Sequence, residues 1–182
     1  MADNPRPVTL DGRLPADAEA VEFVEAQADG SQRYAEALAE LDGTLQREGI
    51  LGVRFEHVGG SAVPGLGGRP SIDILLVPPH TLDSADLVEL LHGLGYRQRG
   101  DELVRRGQRL RILDPQQAGQ ALRVRDWLRQ HPEDVATFNA LKRKLVDSPV
   151  ADAQAYERGK QAFFATLLAL ADAEESAAHP PR

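Results

Sequence analysis

The chain has 182 residues, of which 42% are hydrophobic, 27% charged and only 5% aromatic, with a formal net charge of −7. These are the proportions of a soluble globular protein with one domain and terminal extensions, and the absence of cysteine excludes a disulfide framework and any Cys-ligated zinc site. The first residues lack a basic start followed by an apolar run, and no stretch approaches about 18 apolar residues, so secretion and membrane spanning are not expected and a cytoplasmic location is.

Residues 1–16 mix Pro, Asp and Gly without periodicity and read as a loose arm ahead of a single domain over 17–175. From about residue 18 to 48 the pattern is helical. Tyr34, Leu38, Leu41 and Leu45 recur at spacings of three and four, Gly30-Ser31 reads as an interruption, and Gly49 as the close. A short strand is expected at 53–56, followed by a glycine-rich segment over 59–68. Residues 71–77 form an almost continuous apolar run broken only by Asp73. This is the clearest strand of the chain, and Pro78-Pro79 ends it because proline cannot donate to a ladder.

Asp83 has the character of an N-cap for a helix through His92, with Leu87, Leu90 and Leu91 inward and Gly93 and Gly95 terminating it. Short strands follow at 96–99, 102–106 and 109–113, the last two joined by a turn at Gly107-Gln108. From about Leu122 the chain reads as helical, with Pro132 at a first helical position. One stripe contains Phe138, Leu141 and Leu145. A last helix from about Asp152 carries Tyr156, Phe163, Leu167 and Leu170, before a polar tail expected to be disordered over 176–182. Strands and helices alternate early and helices dominate late, which is the pattern of an α/β (α+β) domain with C-terminal helices. The core is expected over about 50–115 and the helical part over about 121–175.

Charge is unevenly spread. Residues 1–50 carry 4 basic and 11 acidic side chains, whereas 97–145 carry 12 basic and 6 acidic ones. The basic segment is either a solvated face or a wall facing an anion. With so few aromatics it is a poor stacking surface, so nucleic acid is not an expected partner.

Two features of the middle segment carry chemistry. Adjacent glycines at Gly59-Gly60, followed by Ser61, let backbone N–H groups approach a phosphate and add a hydroxyl, although such a run is also an ordinary flexible turn. Asp73 sits among Ile72, Ile74, Leu75 and Leu76, where an unpaired carboxylate is costly to bury. It is therefore either salt-bridged, with Arg69 as the near candidate, or a metal-ligating carboxylate facing the glycine-rich turn.

The run Glu56-His57-Val58-Gly59-Gly60-Ser61-Ala62-Val63-Pro64-Gly65-Leu66, then Arg69-Pro70-Ser71-Ile72-Asp73-Ile74-Leu75, resembles the signature of the GrpB family. Leu94-Gly95-Tyr96, Arg125-Asp126-Trp127-Leu128-Arg129 with His131-Pro132-Glu133, Leu141-Lys142 and the pair Tyr156 and Lys160 are similar to its later motifs, in the same order. The resemblance spans about residues 50–170 and is faint before them.

The resemblance implies a nucleotidyltransferase-like mixed sheet flanked by helices. In that superfamily a glycine-rich turn holds nucleotide phosphates and an Asp-x-Asp strand binds magnesium. It assigns Gly59, Gly60 and Ser61 to a small phosphate-bearing ligand, nucleotide or CoA-like; from this chain's own residues, Arg69 or Arg111 is the candidate counter-charge. Asp73 becomes the catalytic and Mg2+-ligating carboxylate, and His57 either a second catalytic group or a structural histidine orienting the turn. Family members also occur fused to dephospho-CoA kinase, which implies a partner in coenzyme A metabolism.

The chain departs from an enzyme of this superfamily at two places. Residues 73 and 75 share a strand face, but Leu75 stands where a second carboxylate is expected, so magnesium binding is expected to be weak without bound nucleotide and transferase activity weak or lost. Asp114 is either a third carboxylate or part of an Asp-Pro turn. Arg109 and Arg111 replace a His-x-His pair. They either grip phosphate or protect an exposed edge strand. An active nucleotidyl or phosphoryl transferase acting on a small molecule and a non-catalytic interaction module are the alternative functions.

Overall fold

A computed structural model describes residues 22–147 and 153–178. The expected arm, the first part of the expected first helix, the side chain of Tyr156 and residues 179–182 lie outside the described residues. A five-stranded mixed sheet organises the rest. Its strands are β1 (Arg54–Val58), β2 (Ile72–Val77), β3 (Arg97–Arg99), β4 (Glu102–Arg105) and β5 (Gln108–Ile112), in the order β1-β2-β5-β4-β3. Only β2 and β5 are parallel, with Asp73 beside Arg109 and Leu75 beside Arg111. The other neighbours run antiparallel. The helices are α1 (Gly30–Arg47), α2 (Ser84–Gly93), α3 (Pro115–Gln130), α4 (Pro132–Val146) and α5 (Ala153–Ala178). No helix among the described residues is long and apolar enough to cross a membrane.

The strand alternation of β2 divides the molecule. Ile72, Ile74 and Leu76 join Leu103 and Leu110 under Leu41 and Leu45 of α1 and Leu87 and Leu91 of α2, the larger of the apolar clusters. Val58, Leu75 and Val77 face the other way, against Ala118 of α3. Beyond them Val63 and Leu66 pack with Val124, Leu128, Val135, Phe138 and Leu167 of α3–α5. Phe138 stacks on Phe163 with ring centroids 4.7 Å apart, which pins α4 to α5.

Several boundaries differ from expectation for identifiable reasons. Gly30 opens α1 instead of interrupting a longer helix, and a Cβ on it would lie 2.4 Å from the Ser61 carbonyl oxygen, so glycine lets the helix start touch the following turn. The other end of α1 closes as expected. Gly49 has φ 77°, and the N–H of Ile50 reaches the Leu45 carbonyl at 2.8 Å, a Schellman arrangement. The β4–β5 turn is Arg106-Gly107, one residue earlier than Gly107-Gln108. Both turn residues have positive φ, as a two-residue type I′ hairpin requires. Helix α3 begins at Pro115, well before Leu122, because Asp114 and Gln117 form a reciprocal capping box ahead of a stretch with little apolar periodicity. Asp114 is thus a helix cap, not a third carboxylate. Asp83 caps α2 as expected, accepting from the Ala85 N–H at 2.8 Å. Helix α5 continues through Ala178, three residues into the segment read as tail.

Candidate functional site

Between the sheet face carrying Asp73 and Leu75 and the helices α3–α5 lies a cavity of about 410 Å³. The glycine-rich segment forms one wall. Strand β1 ends at Val58, Gly59 turns the chain with φ 74° and ψ −163°, and a 3-10 turn follows at Gly60–Ala62. That combination of angles is essentially restricted to glycine. The contact confirms the constraint, since a Cβ on Gly59 would stand 2.1 Å from Asp73 Oδ2. The glycine is therefore what allows the carboxylate to lie against the turn.

Asp73 is not alone on this wall. Arg109 Nε lies 3.9 Å from Asp73 Oδ1, and the same guanidinium forms a close ion pair with Glu102, which Arg69 also approaches at 4.0 Å. The partner of Asp73 is thus the residue beside it on β5, while Arg69 serves Glu102. Enclosure raises the Asp73 carboxyl above its ordinary range. Arg109 pulls it down, Glu102 pushes it up, and Lys160 and Arg111 lower it further. Because β5 is an interior strand, Arg109 and Arg111 do not guard an edge. Both line the cavity.

Helix α4 supplies the back of the site. Asn139 accepts from the Gly67 N–H at 2.9 Å and donates to the Gly65 carbonyl at 2.8 Å. One helical turn on, the Lys142 ammonium donates to the Gly67 carbonyl at 2.6 Å and lies 4.3 Å from the Phe138 ring centroid. Lys142 is only 4% exposed. Burial pulls its pKa down to about 7, with Lys160 and Arg69 adding repulsion and Asp73 opposing them. Helix α3 holds the turn from outside. Arg125 donates to the His57 carbonyl at 3.1 Å and pairs with Glu56 and Asp126, and Arg129 donates to the Ala62 carbonyl at 2.9 Å. The indole of Trp127 donates to Asp134 at 2.7 Å and stacks on His131. Arg125 and Arg129 of the Arg-Asp-Trp-Leu-Arg motif therefore bracket the glycine-rich turn, while His131 of the His-Pro-Glu motif packs back on Trp127.

Of the residues singled out from the sequence, Gly59, Gly60, Arg69, Asp73 and Arg111 line one cavity. His57 and Ser61 lie elsewhere. His57 pairs across the sheet with Ile74, on the α1 face, where its ring stacks on Tyr34 at 4.4 Å and its Nε2 is hydrogen-bonded to Ser61 Oγ at 2.9 Å. Burial first, then Arg129 and Arg125, pull the imidazole down to about 4, so it is neutral at pH 7. Lys142 and Lys160 were named only as matches to the family's later motifs and Glu102 only as the start of a strand, none of them as a site residue. The signal for Lys142 was its place in the buried stripe of α4, four residues after Phe138, where a lysine is out of character.

The donor set around Asp73 can be tested against magnesium, which needs several oxygens in near-octahedral geometry. The companion position is Leu75, fully buried, and Glu102 is held by arginines. Among the described residues no three His, Asp or Glu side chains converge. These residues do not fit a two-metal centre.

A mixed sheet with helices on both faces, C-terminal helices and a charged cavity beneath them define an α/β domain of GrpB type. The crystal structure of the conserved protein GrpB from Enterococcus faecalis superposes on it with a TM-score of 0.62, covering 82% of this chain and 96% of that one at 24% identity. The family model for GrpB protein matches residues 20–169. A UPF0157 protein of Pseudomonas aeruginosa is 34% identical over 91% of this chain and 74% of its own length. Another from Halalkalibacterium halodurans is 31% identical over 69% of this chain and 70% of its own. The chain belongs to the GrpB family.

Proposed function

We propose that this domain binds a small phosphate-bearing molecule, nucleotide or CoA-like, with transferase activity weak or lost. The observation that carries the reading is the two-part lining of the cavity. Around the Gly59-Gly60 turn stand Arg69, Arg109, Arg111, Lys142 and Lys160, against Asp73, Glu102 and Asp101. Val63, Leu66, Leu128, Phe138, Phe164 and Leu168 form the apolar remainder. A lining that is partly cationic and partly apolar suits a ligand with an anionic head and a base or pantetheine-like body, and the volume falls in the usual range of roughly 300–1,000 Å³ for small-molecule sites. The weak-transferase half of the reading is supported by Leu75, which cannot ligate a cation, and by Arg109, which already engages Asp73.

The test is a thermal-shift screen of nucleotides, coenzyme A and dephospho-coenzyme A beside adenosine and pantetheine. Phosphorylated members should raise the melting temperature and their phosphate-free counterparts should not, because ligand binding to the folded state alone stabilises by mass action. If no phosphorylated compound shifts it, the reading fails.

A further inference from the structure

A phosphate group in a protein site is charge-matched either by a divalent cation held on carboxylates or by cationic side chains of the wall. The cavity contains both kinds of group, but Asp73 and Glu102 already lie beside arginines. Asp73 lies 3.9 Å from Arg109 Nε, and Glu102 pairs with Arg109 and with Arg69. The remaining charged residues in the cavity wall include Arg111 on β5, Lys142 on α4 and Lys160 on α5, with Asp101 at the rim and Arg125 bound to Glu56 and Asp126.

Arg111 and Lys142 thus bring cationic side chains to the wall from two elements. Lys142 registers the crowding. Its ammonium is enclosed with a backbone carbonyl as acceptor, and both Lys160 and Arg69 make its charged form harder to hold. An anion among these groups relieves their repulsion, whereas a divalent cation adds to it. Position 75, where a second metal-ligating oxygen is expected, is a fully buried leucine beside Arg111.

Resting on the reading that the cavity takes a phosphate ligand, we infer that the ligand enters free of divalent metal, charge-matched by Arg111 and Lys142. The metal complex of the same ligand is then the weaker binder.

Isothermal titration calorimetry of the full chain with inorganic pyrophosphate tests this, once in EDTA and once in excess magnesium. Pyrophosphate should bind in EDTA and lose about tenfold or more in apparent affinity when magnesium sequesters it, a difference of about 1.4 kcal/mol. Arg111→Gln and Lys142→Met should each weaken binding in EDTA by about tenfold or more, since each removes a charge-assisted hydrogen bond. Circular dichroism melting serves as the folding control, and Arg111→Gln carries the test if the buried Lys142 variant does not fold. Binding that requires magnesium, or that magnesium leaves unchanged, overturns the inference while the phosphate-site reading stands. Full affinity in a folded Arg111→Gln variant also overturns it. No binding under either condition overturns both.

Discussion

The two faces of the sheet are made by the same strands and do opposite things. On the α1/α2 face, Ile72, Leu76 and Leu110 close against leucines without a charged group among them. On the α3–α5 face, alternate residues of those strands present Asp73, Arg109 and Arg111 to a cavity, with Lys142 buried opposite. One side holds the larger apolar cluster of the domain. The other keeps charges out of water where they cost stability, and such an arrangement persists only if the charges are paired or await a counter-ion.

The sharpest way to break the comparison is to cut into the closed face. Leu76→Ala removes a fully buried side chain from the larger cluster and should cost about 2–5 kcal/mol in urea denaturation. Pyrophosphate affinity of the folded protein should be unchanged, because Leu76 does not line the cavity. A change in affinity comparable to that of the cavity variants would mean that the two faces are not independent.

Gly59→Ala should destabilise by about 1–3 kcal/mol through its backbone conformation alone, and it also drives a methyl group into the Asp73 carboxylate. Here, unlike Leu76→Ala, binding should fall with stability. Parent-like affinity in this variant would separate the turn from the site.

Smaller effects come from the two titrating groups, one on each face. For Lys142 the folded pKa, about 7, lies below the ordinary 10.5, so between these values the unfolded chain binds more protons. Stability should therefore rise with pH over this window. Lys142→Met should remove that contribution to the slope, and pyrophosphate should move the lower edge of the window upward by favouring the charged ammonium. Denaturation midpoints across pH, with and without pyrophosphate, would show both effects.

For His57 the depressed pKa of about 4, against an ordinary 6.5, makes stability fall as pH drops between those values. His57→Gln should flatten this acid limb, and pyrophosphate should leave it in place, since the ring faces Tyr34 and not the cavity. A ligand-dependent acid limb would argue that His57 communicates with the site.

The local pattern of the sequence by itself determined most of the elements and one half of the site. The apolar run around Asp73, the helix cap at Asp83, the helix start at Pro132 and the stripe of α4 are short-range consequences of side-chain period and backbone chemistry. The glycine-rich segment was legible for the same reason, because Gly59 and Asp73 carry the marks of unusual backbone and unusual burial in their immediate neighbours. Only the tertiary structure decided which residues meet. That β2 pairs in parallel with β5 is a long-range register. It puts Arg109 instead of Arg69 beside Asp73 and turns a pair of arginines that looked equally suited to an exposed edge into a cavity wall. Between a catalytic group and a histidine orienting the turn the sequence could not choose for His57, because strand alternation sends neighbours to opposite faces and its position between Glu56 and Val58 does not say which face carries the cavity. Lys142 and Lys160 reach the cavity only through the packing of α4 and α5 over the sheet, where Phe138, one helical turn before Lys142, stacks on Phe163, about one turn after Lys160.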